Sequence, residues 1–237
     1  MSEAFRLVSQ THAPAGALAP AETGEGHWWL AEPMEAGAPL AWLHAQPRIG
    51  LGRPRYSFHL GRVVHAAAEL GLHQVQHTLQ LGHDATGESE LSSLYVNPAL
   101  SEAQSQAVME ALLQAALEGL RAQRASQPDA LVLVELPGWS DAQGRHPFWD
   151  GLVQPFLPSD VSAARARLGT AFSSHLGPLL PRQLIHTAFL PEAVQAVLGR
   201  PETRYLPWLQ ALRAIGFSDW RHLRIDDGGP IWARSLA

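Results

Sequence analysis

SEAQSQAVMEALLQAALEGLRAQ (101–123), followed six residues later by ALVLVEL (130–136), is the stretch that decides the fold. Ser101 has Gln104 three residues on, the spacing of a capping box, in which each end of the pair satisfies a backbone amide of the first turn. Ala103, Ala107, Val108, Ala111, Leu112, Ala115, Ala116 and Leu120 then recur at helical intervals, which predicts one long amphipathic helix to about Gln123. Pro128 and Asp129 break it. The apolar run that follows is strand length, as expected for a central strand covered on both faces. A helix feeding a buried strand is half of an α/β unit.

Upstream, HWWLAEP (27–33), the turn-like MEAGA (34–38) and PLAWLHAQP (39–47) read as a hairpin. Residues 48–55 hold two glycines and a proline and read as a loop. YSFHLGRVVHA (56–66), QVQHTLQLG (74–82) and ELSSLYVNP (90–98), with DATGES (84–89) as a turn, extend this to a meander of antiparallel strands. In the last of these, Leu91, Ser93 and Tyr95 oppose Leu94 and Val96 by strict alternation. Downstream, PFWDGLVQPF (147–156), VSAARARLGTAF (161–172), PEAVQAVLG (191–199) and PWLQALRAIG (207–216) carry helical punctuation. FSDWRHLRIDDGGPIWARSLA (217–237) predicts two strands around DDGGP. Residues 1–26, with a brief apolar start at Phe5–Val8, read as an irregular lead-in, and 27–237 as a single domain.

Composition narrows the chemistry. The 237 residues are 46% hydrophobic and 16% charged, enough to bury a core. Cysteine is absent, which removes disulfides, thiolate nucleophiles and cysteine-ligated metals. All 17 basic side chains are arginine, so Schiff-base chemistry and a P-loop lysine are excluded. A net charge of −5 gives no reason to expect nucleic acid. Met1–Pro20 lacks a secretory pattern and the apolar runs are short, so the expectation is a cytoplasmic protein with no membrane association. GxGxxG, GxxxxGK, GxSxG and HExxH are all missing. His59 and His65 share a strand face but stand about 20 Å apart, too far for one metal. His73, His77 and His83 read as loop histidines, and no metal is expected. Asp226 and Asp227 suit either a hairpin turn or a cationic ligand. The loop holding Gly138, Asp141, Gly144 and Arg145 follows the expected central strand, where α/β sheets often bind ligands.

Several blocks in preserved order resemble the arginine N-succinyltransferase family: YSFHLGRVVHAAAELGL (56–72), GESELSSLYVNP (87–98), ELPGWSDAQGRHPFWDGLVQPF (135–156), LPEAVQAVLG (190–199) and IGFSDWRHLRIDDGGPIW (215–232). The resemblance implies an acetyltransferase-like (GNAT) α/β fold, with a mixed, largely antiparallel central sheet flanked by helices. It implies transfer of a succinyl-like group from an acyl-coenzyme A, succinyl-coenzyme A in the family, to the amine of arginine or a related amino acid. Leu94 matches a family position that contacts the acyl donor, and its strand, with Tyr95 and Val96, would offer backbone groups to the thioester. The family's catalytic histidine falls on Glu202, and RPETRYLP (200–207) contains no histidine. Within the resembling blocks, charge type makes Arg62 or Arg145 the candidate for the acyl carboxylate, and Asp141, Asp226 or Asp227 the candidate for the cationic acceptor. ALSEAQSQA (99–107) stands where the family carries an Arg- and Gly-containing loop for the coenzyme pyrophosphate. The family is longer at its N-terminus, where such folds place a first strand and paired helices, so a wall of the acceptor pocket is expected either to be missing or to come from another subunit, a homodimer mate or a related chain. The alternative is a non-catalytic relative that binds arginine-like ligands or acts as a partner subunit.

Overall fold

The computed structural model describes residues 5–17, 26–127, 129–157 and 160–237. The strands are β1 (Phe5–Gln10), β2 (His27–Pro33), β3 (Ala41–Gln46), β4 (Ser57–Ala67), β5 (Leu72–Gly82), β6 (Ser89–Val96), β7 (Leu131–Glu135), β8 (Ile185–His186), β9 (Ser218–Arg224) and β10 (Pro230–Ser235). The helices are α1 (Glu102–Gln123), α2 (Val161–Leu168), α3 (Phe172–Leu176), α4 (Glu192–Gln195) and α5 (Leu206–Ala214). All ten strands form one sheet in the order β1-β2-β3-β6-β7-β10-β9-β4-β5-β8. Every pairing is antiparallel except β6 with β7. That exception follows from α1, because parallel neighbours need a crossover long enough to return the chain to the same end of the sheet.

The capping box of α1 is formed as read: Ser101 Oγ accepts from the Gln104 amide and Gln104 Oε1 accepts from the Ser101 amide. Val108, Leu112, Leu113, Ala116, Leu117 and Leu120 line the buried face of the helix, and with Trp208 and Leu212 of α5 they cover β3, β6, β7 and β10. A second core, centred on Phe58, Leu79, Phe148, Trp149, Leu176 and Leu223, joins residues 148–198 to β4, β5 and β9. Gly119 sits inside α1 because the Trp29 ring lies against it: a Cβ there would come 2.5 Å from Trp29 Cζ2. Strand β7 is covered on both sides, Val132 and Val134 by the α1 core and Leu133 by Ile49, Ala85, Ile231 and Ala233.

Two expectations are corrected. Within the lead-in read as irregular, Phe5–Gln10 is a strand paired along its length with β2, from Phe5↔Pro33 to Gln10↔Trp28, so a first strand is in place. Residues 1–4 and 18–25 of that segment, like Pro128, lie outside the described residues. The meander is also broken: β3 pairs with β6, while β4 and β5 form a hairpin on the far side of β9. Alternation fixes which face a strand buries, but carries no information about which neighbour supplies its hydrogen bonds. Among the described residues no helix is long and apolar enough to cross a membrane.

Leu112, fully buried in the α1 core, and Leu70, 80% exposed at the tip of the β4–β5 hairpin, give a stability test of this arrangement. Leu112→Ala is expected to cost about 2–5 kcal/mol in urea unfolding, and Leu70→Ala less than about 0.5 kcal/mol.

Candidate active site

The parallel pair is short. Only Ser89, Glu90 and Leu91 face Val132, Leu133 and Val134, and beyond Leu91 the strand β6 leaves β7 while remaining bound to β3 as far as Val96. Between Trp42↔Tyr95 and His44↔Ser92 the register shifts, so that two steps on β3 oppose three on β6. Ser93 takes up the extra residue with φ 53°, the backbone of a β-bulge. The bulge changes the alternation. Leu91, Leu94 and Val96 all pack toward the α1 core, whereas Tyr95 turns to the other face and stacks on Trp42 at 3.8 Å. A cleft therefore opens between two strands that share a sheet, with the half-buried residues Leu94, Tyr95 and Val96 along one side and the N-terminus of α1 beyond.

Glu202 lies at the C-terminal end of the other wall. Its amide donates to Pro137 O at 2.8 Å, the Trp139 amide donates to Arg200 O at 3.0 Å, and Gly138 bridges Pro201. The carboxylate is 28% exposed and pairs with Arg204 at 3.0 Å.

Behind this wall runs a chain of ion pairs that sequence patterning did not reveal. Arg55 bonds Glu90 at 2.6 Å and Glu135 at 2.9 Å. Arg224 lies 3.5 Å from Glu135, 3.1 Å from Asp226 and 2.9 Å from Asp227. Arg165 of α2 reaches Asp226 at 2.5 Å and Asp227 at 3.2 Å. Asp226 and Asp227 are thus buried in the turn between β9 and β10 with arginines already against them. Burial opposes the charge on Asp226, but Arg224 and Arg165 outweigh it and hold the carboxyl well below its ordinary range. Asp227 is pushed up by burial, and the Asp226 charge adds to this against the pull of the two arginines. Burial likewise opposes the charge on Arg224, yet Asp226, Asp227 and Glu135 keep it protonated well above its usual value. The turn is fitted tightly to the end of β7: a Cβ on Gly138 would collide with the Asp227 carbonyl, and Asp227 Oδ1 accepts from the Gly229 amide at 3.0 Å.

The remaining sequence candidates fall in two separate places. Asp141 and Arg145 form a self-contained loop past β7: Asp141 accepts the Gln143 and Arg145 amides at 2.9 Å and pairs with the Arg145 guanidinium at 2.7 Å. The Arg145 backbone bond, followed by its side chain and Gln143, holds the Asp141 carboxyl below its ordinary range. Arg62 lines a different groove of about 600 Å3 with His59, Leu60, Val75, His77 and Arg221. Its strand, β4, is separated from β7 by β10 and β9, about 14 Å of sheet, so the structure does not bring Arg62 to the cleft. His59 packs against His222, whose Nε2 is 3.1 Å from Asp84. Among the described residues no group of three metal-ligating side chains is present.

A mixed sheet whose parallel pair splays after three residues, with a bulge at the opening and a helix leading away from it, defines an acetyltransferase-like (GNAT) fold. A family model described as "Arginine N-succinyltransferase beta subunit" matches residues 15–236, and the chain belongs to that family. It is similar to the arginine N-succinyltransferases of Salmonella arizonae, Citrobacter koseri and Salmonella paratyphi B, with 30%, 29% and 31% identity over 206 residues, covering 87% of this chain and 59% of each relative. A solved structure, arginine/ornithine succinyltransferase subunit AI from Pseudomonas aeruginosa, superposes with a TM-score of 0.67 at 26% identity, over 90% of this chain and 60% of that one. The chain therefore spans about three fifths of the length of these relatives.

Arg224, 21% exposed, is the cation with most partners in the chain of ion pairs. Arg224→Ala leaves Glu135, Asp226 and Asp227 short of positive charge, with an expected cost of about 3–5 kcal/mol at neutral pH. The pH response should change with it. In the parent protein the lowered Asp226 contributes stability above the ordinary carboxylate value of about 3.9, lost as pH falls, while the raised Asp227 contributes with the opposite sign. Arg224→Ala removes the larger of the two arginine contributions at both aspartates, so the variant's deficit against the parent is expected to narrow as pH drops from about 7 to about 5, read as a smaller difference between their urea midpoints.

Proposed function

We propose that this chain is an arginine N-succinyltransferase-like acyltransferase, moving a succinyl-like group from an acyl-coenzyme A to the amine of arginine or a related amino acid. The observation that carries this reading is the parallel pairing of β6 with β7 that stops after three residues, with the bulge at Ser93 just beyond, on a chain of this family. The donor's pantetheine arm lies along Leu94, Tyr95 and Val96, where β6 has left β7 and the thioester meets backbone groups at the bulge. The amine nitrogen attacks the thioester carbonyl carbon, a C–N bond forms, and the C–S bond breaks with departure of the coenzyme thiolate. Glu202, held at the end of β7 by Pro137, takes the amine proton, which general-base catalysis requires. In the loop beyond β7, Arg145, 71% exposed, is the cation offered to the acyl carboxylate and Asp141 the anion offered to the acceptor. Asp226 and Asp227, engaged by Arg165 and Arg224, hold the β9–β10 turn against Gly138 and so position that wall. A second subunit, identical or related, completes the acceptor pocket.

A second reading, a non-catalytic relative that binds an arginine-like ligand, is favoured by one observation. The first turn of α1 is closed by the reciprocal Ser101–Gln104 cap and carries Glu102, which opposes a phosphate at the helix terminus. Titration calorimetry separates the two: succinyl-coenzyme A binding followed by transfer to arginine supports the enzyme, whereas arginine binding alone supports the relative. For the enzyme, Glu202→Gln is expected to lower kcat by about 10²-fold or more with little change in KM. Unchanged transfer in that variant removes Glu202 as the base.

A further inference from the structure

At the opposite end of the sheet from the cleft, a cavity of about 310 Å3 is lined by His27, Pro47, Arg48, Gln123 and Arg124. His27 begins β2, Pro47 and Arg48 follow β3, and Gln123 and Arg124 end α1. Arg124 is 4% exposed, an unusual place for a guanidinium. Its Nη1 donates to the carbonyls of Pro47 and Gly87 and lies 3.4 Å from Ser89 Oγ, while its buried Nε has no partner. Among the described residues neither Arg48 nor Arg124 has a carboxylate at ion-pair distance. The acid acting on Arg124 is Glu88, but Glu88 Oε2 accepts from the Leu131 amide at 2.6 Å. Burial first, then the neighbouring Arg48, push the Arg124 guanidinium below its ordinary value, against the pull of Glu88. Gln123 Nε2 stands 3.3 Å from His27 Nδ1. With the amide donating, neutral His27 carries its proton on Nε2 and adds a donor to the same rim.

We propose that this cavity is a binding site for a small oxyanion, a phosphate or a carboxylate, held by Arg48 with Arg124, His27 and Gln123. Two guanidiniums lining one cavity beside neutral donors match the lone pairs of a carboxylate or phosphate, which charge-assisted hydrogen bonds favour. The volume suits a small anion rather than a coenzyme. The site braces the cleft from below, since Arg124 and Pro47 touch Ser89, the first of the three β6 residues that pair with β7.

The test is titration of the full chain with inorganic phosphate and, separately, with succinate, at ionic strength fixed with chloride, followed by calorimetry and by the His27 ring resonances. Saturable binding of at least one probe is expected, with a His27 shift, a raised Tm, and a loss of affinity of about tenfold or more in Arg48→Ala, whose side chain is exposed. Arg124→Lys keeps the charge but not the planar fork, and is expected to weaken the same probe while retaining the fold. Tighter phosphate binding marks the natural ligand as a phosphate ester or free phosphate, and tighter succinate binding as a carboxylate. The proposal is overturned if neither probe saturates, if Arg48→Ala binds as the parent does, or if His27 is unmoved.

Discussion

Three residue pairs between β6 and β7 decide what this molecule is. A parallel pair forces a crossover, and α1 is that crossover, so the largest helix and the largest core exist to close this contact. Stopping the pair at Leu91 and Val134 is equally consequential. From there β6 follows β3 and β7 follows β10, and the sheet keeps its continuity below while parting above.

The parting wall needs support that apolar packing does not give it. Arg55, Glu90, Glu135, Arg224, Asp226, Asp227 and Arg165 supply it, linking the loop before β4, the strands β6, β7 and β9, the β9–β10 turn and α2. Buried ion pairs rarely exceed a well-packed apolar replacement in stability, because desolvation offsets most of the attraction. Their effect here is geometric. Guanidiniums and carboxylates bond in fixed directions, so each segment is held at one position relative to the next, and the end of β7 is fixed where Glu202 and Gly138 sit.

Much of this was legible in the sequence because periodicity reports burial. The capping box at Ser101, the face of α1 and the covered strand β7 all follow from spacing. Strand partners did not, since the β4–β5 hairpin alternates in the same way wherever in the sheet it lies. The bulge at Ser93 was hidden for a related reason: a single φ change reverses the parity of every later side chain, so Leu91 and Leu94 reach the same core although counting by twos separates them. Leu94, Tyr95 and Val96 were placed on the cleft by resemblance to family blocks, and Glu202 was brought near its other wall in the same way. Arg55, Glu90, Glu135, Arg165 and Arg224 escaped notice because each is an ordinary charged residue locally, and they become a group only when segments up to 169 positions apart meet.

The absence of lysine gives that buried chain one further property. Its three cations are guanidiniums, which keep their protons throughout the range in which proteins survive. The cations of the chain are therefore insensitive to alkali: acid can neutralise its carboxylates one by one, but a rising pH takes no proton from its guanidiniums. An equivalent assembly with buried ammonium groups would have a second, basic limit, at which its cations lose their charge.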